Sequence, residues 1–118
     1  MIRAFQLSNV YTPKVTKKEA EINISRAREF LIGKQLNIGK YYLKRNNPTA
    51  AMRRFKKIRK TTEVSKFLPE VSYRLIESFL LVGLFSEALS ENIYMRKKFP
   101  NSSWTVEAAS LIDKSGLN

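Results

Sequence analysis

A chain of 118 residues with 43% hydrophobic content is long enough for one domain with a modest core, and four glycines and four prolines are too few for a disordered chain. Histidine and cysteine are absent, which removes the usual zinc ligands, the thiol nucleophile, the commonest general base and any disulfide or lipid-bearing cysteine. With no glycine-rich phosphate loop or nucleophile elbow either, the chain is expected to be non-catalytic, with no cofactor and no metal site.

The net charge of +12 is lopsided. Residues 1–59 hold 15 Lys/Arg against 3 Glu, whereas residues 60–118 hold 7 of each sign. No acid lies between Glu29 and Glu63, an interval that carries Lys34, Lys40, Lys44, Arg45, Arg53, Arg54, Lys56, Lys57, Arg59 and Lys60. Opposite charges are thus missing where i,i+4 helical pairs would place them. Such a field steers an acidic partner, a nucleic acid or an anionic membrane surface.

In chain order, residues 1–16 lack a sustained period and contain Pro13, so they read as an extended or poorly ordered lead-in, with Met1–Phe5 as the stub of an earlier helix. A helical domain is expected over residues 17–116. Its first helix runs from about Lys17 to Arg45, with Ile24, Ala27, Leu31, Gln35, Ile38 and Tyr42 marking one face. Asn47 then supplies an N-cap and Pro48 a first helical position for a second helix ending near Lys60. That helix buries Ala51, Phe55 and Ile58 and turns Arg53, Lys56, Lys57 and Lys60 outward. Gly39, Ala50 and Ala51 are small enough for the two helices to approach closely.

A third helix is expected from Pro69 to about Val82, with Val71, Leu75, Ile76 and Phe79 inward and Gly83 as its stop. The fourth runs from Ser86, read as an N-cap, to Phe99, with Ala88, Leu89, Ile93 and Met95 inward and Pro100 closing it. The fifth covers Ser103 to Lys114 and carries Trp104, Ala108, Leu111 and Ile112 on one side. The longest apolar run, Phe79–Phe85, is far shorter than the roughly 20 residues of a membrane span. No secretory signal is visible. The class is all-α.

Ala51 and Ala88 each open the second helix of a hairpin, and Gly39–Tyr42 corresponds loosely to Ile76–Phe79. Phe5, Ser8 and Tyr11 similarly echo Phe99, Ser102 and Trp104. Helix–turn–helix units at a period near 34–37 match a tetratricopeptide (TPR) array of stacked hairpins.

Residues 41–45, Ala50-Ala51, Arg54-Phe55, Ser72–Leu75, Glu77–Phe79, Gly83-Leu84, Glu87-Ala88, Phe99–Ser102 and Trp104 together resemble the C-terminal repeats of the outer-membrane β-barrel assembly lipoproteins, the BamD/ComL family. The resemblance covers roughly residues 20–105, about the last half of a full-length member. Two departures stand out. The lipoprotein signal, lipid-bearing cysteine and two earlier repeats of the family are not in this sequence, leaving two readings open: a C-terminal piece of a larger protein, or a gene product that has lost its first half. Thr62-Glu63-Val64-Ser65 also replaces the aromatic-Pro-x-Ser that the family tends to place after the second helix.

The resemblance implies a non-catalytic scaffold at the periplasmic face of the outer membrane. Its implied partners are the POTRA domains of the barrel-assembly protein, accessory lipoproteins and unfolded outer-membrane proteins. Arg54 matches an arginine of the family pattern and is the first candidate for partner contact, since a guanidinium forms a fixed bidentate pair with a carboxylate. Arg53, Lys57, Lys44 and Arg45 form the supporting group. Two alternatives are a basic helical repeat that binds nucleic acid, with Tyr41 and Tyr42 stacking on bases, and a generic TPR interaction module. Weak self-association through the first helix is also expected.

Overall fold

The computed structural model describes residues 14–117. Five helices follow in order: α1 (Lys17–Lys44), α2 (Pro48–Thr61), α3 (Leu68–Val82), α4 (Phe85–Lys98) and α5 (Ser103–Lys114). The all-α reading is borne out, with no strand among the described residues. Most of the lead-in, residues 1–13, lies outside the described residues, and with it the expected helix stub and the echo carried by Phe5, Ser8 and Tyr11.

Local chemistry sets the ends of the elements. Thr16 caps α1 by accepting the Glu19 N–H at 3.0 Å. Between α1 and α2, Asn46 takes a left-handed backbone, φ 60°, which asparagine tolerates better than most residues. Asn47 then accepts the Ala50 N–H at 3.2 Å and Pro48 opens α2, as expected. Replacing Asn47 by Ala should therefore cost about 1 kcal/mol. Urea denaturation followed by circular dichroism checks this, and an unchanged midpoint would contradict the capping role.

Two starts differ from expectation. Phe67 occupies the cap position of α3, so Pro69 sits second in the helix rather than first, where its missing N–H still costs nothing. Ser86 does not cap α4. Gly83 ends α3 with φ 83°, and the Leu84 N–H reaches back to the Phe79 carbonyl at 2.8 Å. That closing turn uses only two residues, so α4 begins at Phe85 and Ser86 falls inside its first turn.

The core joins Ile32 and Leu36 of α1, Ala51, Phe55 and Ile58 of α2, five apolar residues of α3, Ala88 and Met95 of α4, and Ala108 and Ile112 of α5. Each helix packs on the next, and α3 also packs on α1 and α5. Helical hairpins α1–α2 and α3–α4, followed by α5, are the arrangement expected of TPR-type stacking. Ala51 and Ala88 are both completely buried at the fourth position of their helices, which gives the 37-residue spacing a structural meaning. Gly39 is buried beneath Phe55, and a Cβ there would lie 2.3 Å from the Phe55 ring. The close approach of α1 and α2 depends on that missing methyl group.

One face is corrected. Ile32, Leu36 and Gly39 of α1 meet the core, whereas Ile24 and Leu31 are 57% and 56% exposed. The observed stripe is the expected one shifted by one residue, about 100° around a helix of 3.6 residues per turn. Both have helical spacing, so periodicity cannot rank them. Ile93, expected inward, is 47% exposed; Glu91, Asn92 and Met95 take the inner positions of α4.

Candidate partner-binding surface

The cation-rich interval resolves into two sets once α2 is in place. Ala51, Phe55 and Ile58 define its buried face. Arg54 and Arg59 flank that face on opposite sides, and each reaches a neighbouring helix. Arg54 Nη1 donates to Gln35 Oε1 of α1 at 2.9 Å. Arg59 pairs with Glu91 of α4, and its guanidinium lies 4.1 Å from the centre of the Tyr94 ring.

Arg53, Lys56, Lys57 and Lys60 recur at steps of three, one and three along one side of α2, and all four are exposed, with the Lys56 ammonium 5.5 Å from the Phe79 ring centre. None of them makes an ion pair among the described residues. Lys44 and Arg45 are also exposed, at the turn end of α1. The Arg45 guanidinium lies 5.7 Å from the Tyr41 ring centre.

Of the five residues nominated from sequence, Arg53 and Lys57 share the outer face of α2, and Lys44 and Arg45 sit beside the α1–α2 turn. Arg54 stands apart from both groups, half-buried in the α1–α2 seam. Acids missing from the local sequence are supplied by other helices: Lys40 Nζ lies 3.0 Å from Glu70 Oε2 of α3. Arg59 and Glu91 are the functional-looking pair that sequence reading missed. Their separation of 32 residues leaves no local signal.

A groove runs between α2 and α4. One cavity of about 340 Å³ has Leu75 and Phe79 of α3 on its lining, with Lys56, Arg59, Lys60 and Glu91 around them. Its neighbour, about 320 Å³, is lined by Arg59, Glu63, Leu68, Tyr94 and Lys98 among others. Shape and charge together suit an acidic segment with apolar side chains.

The motif around Arg74 proves structural. Arg74 Nε lies 3.1 Å from Glu70 and Nη1 2.7 Å from Glu77. Its guanidinium also faces the Tyr73 and Trp104 rings, which are themselves 5.2 Å apart. Burial works against the Arg74 charge, but the hydrogen bonds and charges of Glu77 and Glu70 outweigh it and raise the pKa. The Tyr73 phenol is likewise pushed up, by burial first and by Glu77 next. This cluster fastens α3 to α5.

The departure after α2 is also a built feature. Glu29 accepts from the Ser65 hydroxyl at 2.8 Å and the Lys66 N–H at 3.0 Å, tying the loop to α1. Tyr42 packs against the core while Tyr41 is exposed, so one of the two tyrosines considered for base stacking is occupied. Among the described residues, no helix is long and apolar enough to cross a membrane.

Comparison with known proteins agrees with the motif resemblance. The chain is 33% identical over 99 residues to the outer membrane protein assembly factor BamD of Caulobacter vibrioides, covering 84% of this chain and 32% of that protein. It is also 33% identical over 94 residues to the protein of the same name from Rickettsia prowazekii, covering 80% of this chain and 38% of that one. The chain thus spans about a third of the length of these curated relatives, and the resemblance to BamD read from the motifs is borne out. No protein-family model matches the chain, and no solved structure does.

Proposed function

We propose that the chain is a non-catalytic scaffold in outer membrane protein assembly, binding partner proteins through the outer face of α2 together with Lys44 and Arg45. The observation that carries the reading is the identity of 33% to two outer membrane protein assembly factors over at least 80% of the chain. On the family resemblance, the partners are the POTRA domains of the barrel-assembly protein, accessory lipoproteins and unfolded outer-membrane proteins, met at the periplasmic face of the outer membrane.

The mechanism is binding alone. Rigid helical hairpins present a surface of fixed geometry, and the exposed cations set encounter rate and register more than raw affinity. Arg53 and Lys57 rank first as contacts, because both are exposed and unpaired among the described residues. Arg54 acts as a positioning residue, holding α2 against α1 through Gln35.

Titration calorimetry at near-physiological salt tests the reading, with the POTRA region of the barrel-assembly protein from the same organism and a single-stranded oligonucleotide as parallel titrants. Saturable binding to POTRA is expected, with only salt-labile binding of the oligonucleotide. Tight oligonucleotide binding with no POTRA binding would replace this reading with nucleic-acid recognition.

A further inference from the structure

Among the described residues, the N-terminal half of α1 has no neighbour to explain its apolar residues. At 28 residues α1 is about 42 Å long, while the 14 residues of α2 reach only about 21 Å along it. Residues 17–28 are exposed apart from Ala20, which is half-buried. A projecting helix of that length is marginal in water by itself. Yet Ala20, Ile24, Ala27 and Leu31 line one side of it at steps of four, three and four, the spacing of the seam positions of a coiled coil.

We infer that this face pairs with the same face of a second copy, as an antiparallel two-fold helix pair. Alternating small and large residues fix the register, because each Ala can receive a bulky partner. Ile24 meets the partner's Ala27, and Leu31 meets the partner's Ala20. This alignment brings Glu21 beside the partner's Arg28 at the edge of the seam, and two-fold symmetry repeats the pair on the other end. Both residues are exposed and make no ion pair among the described residues.

Charge permits the approach here and not elsewhere on the cation-rich half. Residues 17–31 carry four cations against three acids. A parallel pair would instead set Glu21 against Glu21 and Arg28 against Arg28 at equal height. A shallow cavity of about 200 Å³, lined by Leu31, Gln35, Lys57 and Ile58 among others, extends the seam towards α2. Four seam residues per copy bury less than the roughly 1,200 Å² of a stable complex, so the dimer is weak. Self-association on this face stands independently of the partner-binding reading.

Sedimentation equilibrium from low to high micromolar concentration is the test, with circular dichroism to verify folding. The wild-type chain should show a monomer–dimer equilibrium. Glu21→Arg and Arg28→Glu should each weaken it about tenfold, and Glu21→Arg/Arg28→Glu together should restore it, since the double exchange recreates both pairs. The chain has no cysteine, so register can be read directly by oxidation. Mixed Ile24→Cys and Ala27→Cys chains should cross-link to one another in preference to themselves. A monomer at every concentration would overturn the inference. A dimer indifferent to the charge reversals, or one cross-linking Ile24→Cys to itself, would overturn it equally.

Discussion

Phe55→Ala should cost about 3–5 kcal/mol, the usual range for truncating a buried aromatic, and should lower the urea midpoint substantially. Phe55 is completely buried and packs directly over Gly39 of α1. Truncation removes the ring and leaves a void that cannot close, because Gly39 has no side chain to enter it. A domain of this size has only about 5–15 kcal/mol of stability to lose. The same contact predicts Gly39→Ala. Its new methyl would meet the Phe55 ring at 2.3 Å, and that overpacking costs about 1–3 kcal/mol, set against about 1 kcal/mol of improved helix propensity. Urea denaturation measures both. Combining Gly39→Ala with Phe55→Leu should be less damaging than the sum of the two single changes, as expected for residues in contact. A loss below about 1 kcal/mol for Phe55→Ala would contradict the α1–α2 packing described above.

The Arg59–Glu91 pair should give the second-largest effect. Glu91 is only 8% exposed, and Arg59→Met would leave its carboxylate buried without a partner and remove the stacking on Tyr94. Removing one member of a fully buried pair costs about 3–5 kcal/mol; here the partner side chains retain 28% and 10% exposure, so about 2 kcal/mol is expected. Replacing both residues by Met should return most of that loss, because an apolar pair of similar volume leaves no uncompensated charge. The comparison of single and double variants by chemical denaturation separates the two contributions. Equal losses in both would mean that the pair itself, rather than the stranded carboxylate, carries the energy.

The sequence made the helical frame legible because its signals are local. Pro48, Gly83 and Pro100 punctuate the chain, and each acts through its own backbone within a turn of the boundary. The buried sets on α2 and α3 were equally legible, since each helix has one dominant apolar stripe. On α1 there are two, and only the presence of α2 decides that Ile32 and Leu36 face the core while Ile24 and Leu31 do not.

The candidate surface was legible in part for the same reason. The i,i+3 and i,i+4 spacing of Arg53, Lys56, Lys57 and Lys60 placed them on one outer stripe without reference to any other helix. Arg54 and Arg59 are decided by residues 19 and 32 positions away, and no window along the chain contains both partners. Arg54 ranked first from the family pattern. Its hydrogen bond to Gln35 makes it part of the hairpin seam, so Arg53 and Lys57 take its place as leading contacts.

Calorimetric titration of the POTRA region with the wild-type chain and with Arg53→Glu/Lys57→Glu, run side by side at near-physiological salt, tests the central claim most directly. Both substitutions are on the outer face of α2 and should leave the fold intact. The scaffold reading predicts saturable binding by the wild-type chain and about tenfold or greater weakening by the double reversal, in the range of about 1–3 kcal/mol for two lost charge contacts turned repulsive. Equal affinity in the two chains would contradict the assignment of this face, and no saturable heat from either would contradict the scaffold reading itself.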